Sequence, residues 1–301
     1  MRHLVILTII LLTFSCSNKD NSKGSKDDTL QSTQVDTLQT SIDALNENVQ
    51  YIGFIDKFYF SNENEAYVEL YFLKDQINAD EYEKIVKLAD SLIYEDDENS
   101  RHKFPASLAT KFFDLRGLSK LKIYDNNNQF ISNAEFVRVE YLNQNISPVF
   151  IAVFKTDKKI KADSYHGISN FSGPFEPAEY SITRDTILTQ KLLTKLNAPR
   201  PFYGLENNGT HIQFKNGDTT ISVVNSDNFA YIVLVSGEEF KVLYKSPEPE
   251  NISDLKVVPL MKNNFPYLLT RNVKPETDVI WDKLLYYDGT KYTNTNRQRI
   301  E

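Results

Sequence analysis

Residues 65–74 read EAYVELYFLK, a run in which Ala66, Val68, Leu70 and Phe72 alternate with Tyr67, Glu69 and Tyr71. Successive side chains of a strand point to opposite faces, so this run presents one apolar face and one mixed aromatic and acidic face. A half-buried strand of an antiparallel sheet is the simplest structure that uses both. The preceding YIGFIDKFYF, residues 51–60, is also aromatic and β-branched, and the SNEN between them is a turn-forming cluster. Downstream the period changes. Asn78 followed by Glu81 suits a capping box, and Tyr82, Ile85, Val86, Ala89, Leu92 and Ile93 recur at helical spacing. A shorter helix is predicted from Pro105, with Leu108, Phe112 and Leu115 on one side and a stop at Gly117.

Strand material then returns as LKIYD (121–125), AEFVRVEYL (134–142) and SPVFIAVFK (147–155). The last is almost continuously apolar from Val149 to Phe154, as expected of a central strand covered on both faces. After YSITRD (180–185), the segment TILTQKLLTKL places Leu188, Leu192 and Leu196 on one helical face, with Pro199 beyond its end. Three hairpins follow in HIQFKNGDTTISVV (211–224), AYIVLVSGEEFKVLY (230–244) and DKLLYYDGTKYTN (282–294), each with a glycine in the turn. The expected architecture is α+β: mainly antiparallel sheet with about three helices, an α+β lobe over 49–185 and a mainly β lobe over 186–301, or one continuous domain. The resemblance between LVSGEEFKVL (234–243) and LYYDGTKYTN (285–294) makes an incomplete propeller the alternative, although turns near Gly217, Gly237 and Gly289 have no fixed period.

The N-terminus has a different character. MRH supplies positive charge and LVILTIILL, Leu4 to Leu12, follows without any. This core is shorter than the roughly 20 apolar residues a spanning helix needs, so it is a targeting signal of residues 1–15. The lone cysteine stands directly behind it, in Thr13, Phe14, Ser15, Cys16. Ser15 and Cys16 resemble the lipobox of bacterial lipoproteins, and Thr13 and Phe14 depart from its commoner form. The resemblance implies a lipidated Cys16 as the new N-terminus and an outer-membrane address, facing the periplasm or the cell surface; Ser17 fits that address. Residues 16–48 are rich in Ser, Thr, Asn, Asp, Gln and Lys, and such a segment is expected to be a disordered tether. Within it, SNKD (17–20) and SKDD (25–28) resemble the Lys-and-acid export signals of surface lipoproteins of Bacteroidetes-type bacteria. DTL at 28–30 and 36–38 resembles their O-glycan acceptor motif, with Thr29 and Thr37 as acceptors.

With Cys16 consumed, the chain has no other thiol for disulfides, thiolate metal sites or cysteine catalysis. His102, His166 and His211 are widely separated and form no zinc-protease pair. The acids of YEDDEN (94–99) read as a solvated charge run, and DNNNQF (125–130) as a tight hairpin loop without the glycine and glutamate of a calcium loop. No glycine-rich phosphate cradle is present, and a formal charge of −7 speaks against nucleic acid. No cofactor, metal or catalytic residue is therefore assigned.

The remaining signal is aromatic. Tyr67, Tyr71, Trp281, Tyr286, Tyr287 and Tyr292 are the candidate ligand contacts, because Tyr and Trp combine an apolar body with a polar tip. Packing against neighbouring strands is the competing use of the same rings. The leading functional expectation is a lipid-anchored binding or structural module facing a glycan or protein. One alternative is a tethered hydrolase built on DSYHGISNFSG (163–173), which holds Asp163, Ser164, His166, Ser169 and Ser172. The other is an inhibitor or immunity protein steered by its acidity to a basic partner.

Overall fold

The computed structural model describes residues 49–56, 62–71, 80, 83–85, 87, 101–142, 149–161, 165–169, 180–198, 209–214, 219–226, 228–277, 279–295 and 298–300. The chain is mainly antiparallel β with helices on its outer layers, as the alternation of residues 65–70 requires. Three sheets account for the strands.

The first sheet is built from β1 (Gln50–Ile55), β2 (Glu65–Leu70), β3 (Arg101–Lys103), β4 (Lys120–Tyr124), β5 (Phe130–Leu142), β6 (Val149–Thr156) and β7 (Tyr165–Ser169). The order β1-β7-β4-β5-β6-β2 curls on itself, because Asp56, just past β1, bridges Tyr67 of β2, with Asp56 N donating to Tyr67 O at 2.8 Å. Long β5 carries β4 and β3 end to end along one edge and β6 along the other. Its concave side is filled by Tyr51, Ile55, Ala66, Val68, Leu70, Leu121, Ile123 and Phe154. Ile85 and the helix Ala106–Phe112 pack on that core. The described positions 80, 83–85 and 87 are helical, where the capping-box segment was expected. The shorter helix ends at Phe112, before the expected stop at Gly117, since Phe113 is extended and drops its ring between Phe104 and Phe150. Leu115 and Leu118 still reach the core from the following turn.

A second sheet is a meander of β8 (Tyr180–Thr183), β9 (Gly209–Phe214), β10 (Thr219–Asn225), β11 (Ala230–Ser236) and β12 (Glu239–Lys245). The helix Thr186–Lys195 covers one of its faces through Leu192 and Leu193 against Val224, Tyr231 and Val233. Asp185 caps that helix, accepting from Ile187 N at 2.9 Å and Leu188 N at 3.0 Å. Asn197, at φ 49°, closes its other end in the left-handed region. Gly209 lets helix and sheet approach, because a Cβ there would lie 2.0 Å from Thr189 Oγ1.

The third sheet, β13 (Asn251–Lys262), β14 (Phe265–Val273), β15 (Ile280–Tyr287) and β16 (Tyr292–Asn294), lies between the other two. Val258, Tyr267, Leu269 and Leu284 face Ile52, Phe54 and Ile168 of the curled sheet. Val257, Leu268, Leu285, Tyr287 and Tyr292 face Ile212, Ile221, Ile232 and Leu243 of the meander. Residues of β13, β14 and β15 are thus buried on alternating sides by different partners, which explains the apolar runs at 257–261, 265–269 and 284–287. The sheets stack instead of radiating about an axis, so the propeller alternative is set aside.

Sheet membership changes between Ser169 and Tyr180, ahead of the expected lobe boundary at 185/186. The C-terminal β17 (Arg299–Ile300) returns to pair with β1, tying the end of the chain to the first sheet. The YEDDEN run and residues 1–48 lie outside the described residues.

Candidate functional site

Alternation fixes what β2 presents on its convex face. Tyr67, Glu69 and Tyr71 lie on the side opposite Ala66, Val68 and Leu70, as expected from the sequence. At one end of this face, Glu65 belongs to a closed ring of charge: Arg101 bonds Glu65 at 3.1 Å and Glu140 at 2.6 Å, while Arg138 bonds the same two carboxylates at 3.2 and 2.5 Å. Two guanidinium groups match two carboxylates across β2, β3 and β5, a structural brace with its charge internally neutralised.

At the other end the count does not balance. Arg271 of β14 stands opposite Asp282 of β15 in register and reaches across to Asp56. Its Nε and Nη2 donate to Asp282 at 2.9 and 3.0 Å, and its Nη1 and Nη2 donate to Asp56 at 2.7 and 3.2 Å. The guanidinium also lies 4.6 Å from the centre of the Phe54 ring. Both acids are thus satisfied by one planar fork. Glu69 faces the same group as a third carboxylate. It has no ion pair of its own among the described residues and accepts a hydrogen bond from Tyr71.

Burial pushes the Glu69 carboxyl up to about 7, the Asp56 and Asp282 charges push the same way, and Arg271 only partly opposes them. Asp282 is likewise raised, chiefly by burial. Tyr71 remains 43 % exposed beside Glu69. Ile280, 53 % exposed, shares a strand face with Asp282, and Val279 adjoins it. An under-neutralised carboxylate therefore lies at the junction of the curled and central sheets, where β15 also exposes apolar surface.

The raised Glu69 carboxyl has a measurable sign. In the unfolded chain the group titrates near 4.5, so between pH 4.5 and 7 the native state holds the extra proton and stability falls as pH rises. Glu69→Gln is expected to be more stable than the wild type by about 1–2 kcal/mol at pH 8, allowing for partial exposure. The two proteins should coincide at pH 4.5, and urea midpoints at both pH values check this. An equal offset at both would refute a titrating Glu69.

The other aromatic candidates divide by burial. Tyr67 is fully buried against Ile151 and Val153, with its hydroxyl on Glu65 at 2.7 Å and Arg101 over its ring. Tyr287 and Tyr292 are buried around Phe265, and the Tyr292 hydroxyl donates to Pro266 O at 2.9 Å. These three rings have no free face for a ligand; they are the cross-strand packing that competed with recognition in the sequence. Trp281 and Tyr286 keep part of their surface, each under a lysine, but alternation along β15 sends them to opposite faces of the sheet. Of the six, Tyr71 is the one brought to the charged junction.

The loop considered for hydrolysis does not assemble among the described residues. His166 and Ser169 fall on opposite faces of β7: His166 lies toward the central sheet, and Ser169 Oγ accepts from Tyr51 N at 2.7 Å. Asp163, Ser164 and Ser172 lie outside the described residues. A closer serine–histidine pair, missed from sequence, is His211 with Ser222 Oγ at 2.8 Å, sealed beneath the helix Thr186–Lys195. His211 Nε2 also lies 3.1 Å from the Asp185 carbonyl, which only accepts, so Nε2 carries the proton and Nδ1 accepts from Ser222. The pair stitches helix to sheet.

A cleft of about 100 Å³ separates the meander from β13, lined by Arg184, Thr210, Asn225, Ser253 and Asp254 among others. It is well below the size of a drug-like ligand site. Among the described residues no three His, Cys, Asp or Glu side chains are placed to hold a metal ion, and no helix is long and apolar enough to cross a membrane. No family model, curated protein or solved structure matches this chain.

Proposed function

We propose that this chain is a lipid-anchored binding module of the bacterial cell envelope, held at the outer membrane through Cys16 and recognising a partner at the Glu69–Tyr71 junction. The anchor rests on the signal-like core followed at once by the lone cysteine. The recognition surface rests on one observation: a partly buried carboxylate without its own cation, next to an exposed aromatic ring, with the exposed Ile280 on the strand face of Asp282. A cation entering there would neutralise Glu69 and stack on Tyr71, an arrangement worth about 0.5–2 kcal/mol for the ring alone. The partner chemistry that fits is therefore a basic side chain, guanidinium or ammonium, flanked by apolar groups.

Two measurements separate the two halves of this reading. Cys16→Ser should abolish incorporation of labelled fatty acid and release the protein from the membrane fraction; retention of either would refute the anchor. Fluorescein-labelled hexapeptides carrying one Arg or Lys among apolar residues should bind the wild type, as read by fluorescence anisotropy. Binding should fall about tenfold in Glu69→Gln and in Tyr71→Ala. Unchanged binding in both variants would remove the junction as the site while leaving the anchor standing.

A further inference from the structure

His166 occupies the seam between the curled and central sheets. It is paired with Phe54 of β1 and Tyr124 of β4 across the backbone, and its ring stacks on Tyr124 at 5.5 Å and 19°. The residue is 1 % exposed, and neither ring nitrogen has a hydrogen-bond partner among the described residues. Around it the seam is apolar: Ile52, Phe54 and Ile168 on one side, Val258, Tyr267, Leu269 and Leu284 on the other.

The charged groups that bear on this imidazole come from two elements. β13 contributes Lys256 and Asp254, and the β4–β5 turn contributes Asp125. Lys256 is itself 4 % exposed; its ammonium is held by Asn126 Oδ1 and lies 3.5 Å from Asp254. Burial and the neighbouring charge of Arg271 lower its proton affinity, and Asp254 and Asp125 oppose them. Asp254 is thus already engaged by a cation before His166 changes state.

We propose that this seam is an acid-opened latch with His166 as its trigger: a proton on the sealed imidazole sets a second cation near Lys256 and gives the ring two donors with no acceptor. An unpaired buried charge is tolerated poorly, and separation of the two sheet faces lets water reach it. The direction follows from linkage. Burial, then the Lys256 charge, pull the imidazole down to about 4 from an ordinary value of 6.5. The unfolded or opened chain therefore binds the proton more readily between pH 6.5 and 4, so the closed state is fully favoured above 6.5 and is lost as pH falls through that window. Glu69 titrates in the opposite sense over an overlapping window, so the latch is masked in the wild type's overall pH dependence and appears on comparing variants.

The test compares His166→Phe with the wild type by urea unfolding at pH 7.5 and 4.5. The wild type's folding constant should fall several tens-fold more than that of His166→Phe over this interval. Hydrogen exchange, corrected for intrinsic rate, should rise at pH 4.5 in β7 and β13 of the wild type, with β10 and β11 still protected. If Phe is not accepted at this position, the His166 resonance in the wild type decides: it should not titrate between pH 7.5 and 5, and in Lys256→Met its midpoint should move upward. Equal acid losses in the two proteins, or an imidazole titrating near 6.5, would overturn the latch.

Discussion

Replacing Arg271 with leucine should destabilise the fold by about 3–5 kcal/mol, the scale on which one partner of a buried ion pair is missed. One guanidinium makes all four hydrogen bonds that satisfy Asp56 and Asp282, and the Asp282 side chain is only 5 % exposed. Leucine would fill the stem's space against Phe54 but leave two carboxylates facing each other, with Glu69 as a third. The loss should therefore shrink on acidification, because burial and neighbouring like charge hold the Glu69 and Asp282 carboxyls above the usual carboxylate range. Arg271→Lys should recover only part of it, because an ammonium cannot present the fork that engages both acids at once. Restoring charge balance in Arg271→Leu/Asp56→Asn/Asp282→Asn should regain more stability than Lys does. Urea unfolding followed by Trp281, which is paired with Asn272 next to Arg271, gives the readout. A loss below about 1 kcal/mol would place this cluster with ordinary surface pairs.

What made such a cluster hard to see beforehand is where its members lie in the chain. Strand alternation at residues 65–71 placed Glu69 and Tyr71 on one face correctly, because that pattern is local. Asp56, Arg271 and Asp282 meet them only through the curl that brings Asp56 beside Tyr67 and through the stacking of a sheet more than 180 residues away. The central sheet was itself the least legible part. Its first hairpin, β13–β14, turns at Asn263 and Asn264, at φ 52° and 66°, so asparagine takes the left-handed positions that Gly237 and Gly289 mark in the β11–β12 and β15–β16 turns. Pro259 falls in the register shift between Val258 and Met261, where a missing N–H is tolerated, although proline in a run normally argues against a strand. Long apolar runs buried by two different sheets also lose the period-two signal. By contrast, the glycine turns at Gly237 and Gly289 and the helix behind Asp185 carry their information in a few neighbouring residues, and they appear where the sequence placed them.

A second large effect is expected at the opposite face of the central sheet. Lys283 Nζ lies 2.7 and 2.5 Å from the two oxygens of Glu250, and Tyr244 Oη of β12 donates to the same carboxylate at 2.9 Å. Glu250 is 2 % exposed at its side chain and Lys283 13 %, so the pair is sealed between the meander and β15. Lys283→Met should lower stability by about 3–5 kcal/mol, since the carboxylate would keep only the tyrosine hydroxyl. The double variant Lys283→Met/Glu250→Leu should be close to the wild type in stability, so the cycle should return a coupling at least as large as the Lys283→Met loss. The aliphatic side chains at the same interface, Leu243, Val257, Leu268 and Leu285, make contacts that carry no directional preference. The ion pair has a single satisfactory alignment, so its role is to fix how the meander seats on the central sheet. The double variant should accordingly unfold at a similar urea midpoint yet show weaker near-ultraviolet ellipticity from Tyr244, Trp281 and Tyr287. Unchanged ellipticity in that variant would mean that aliphatic packing alone sets the alignment.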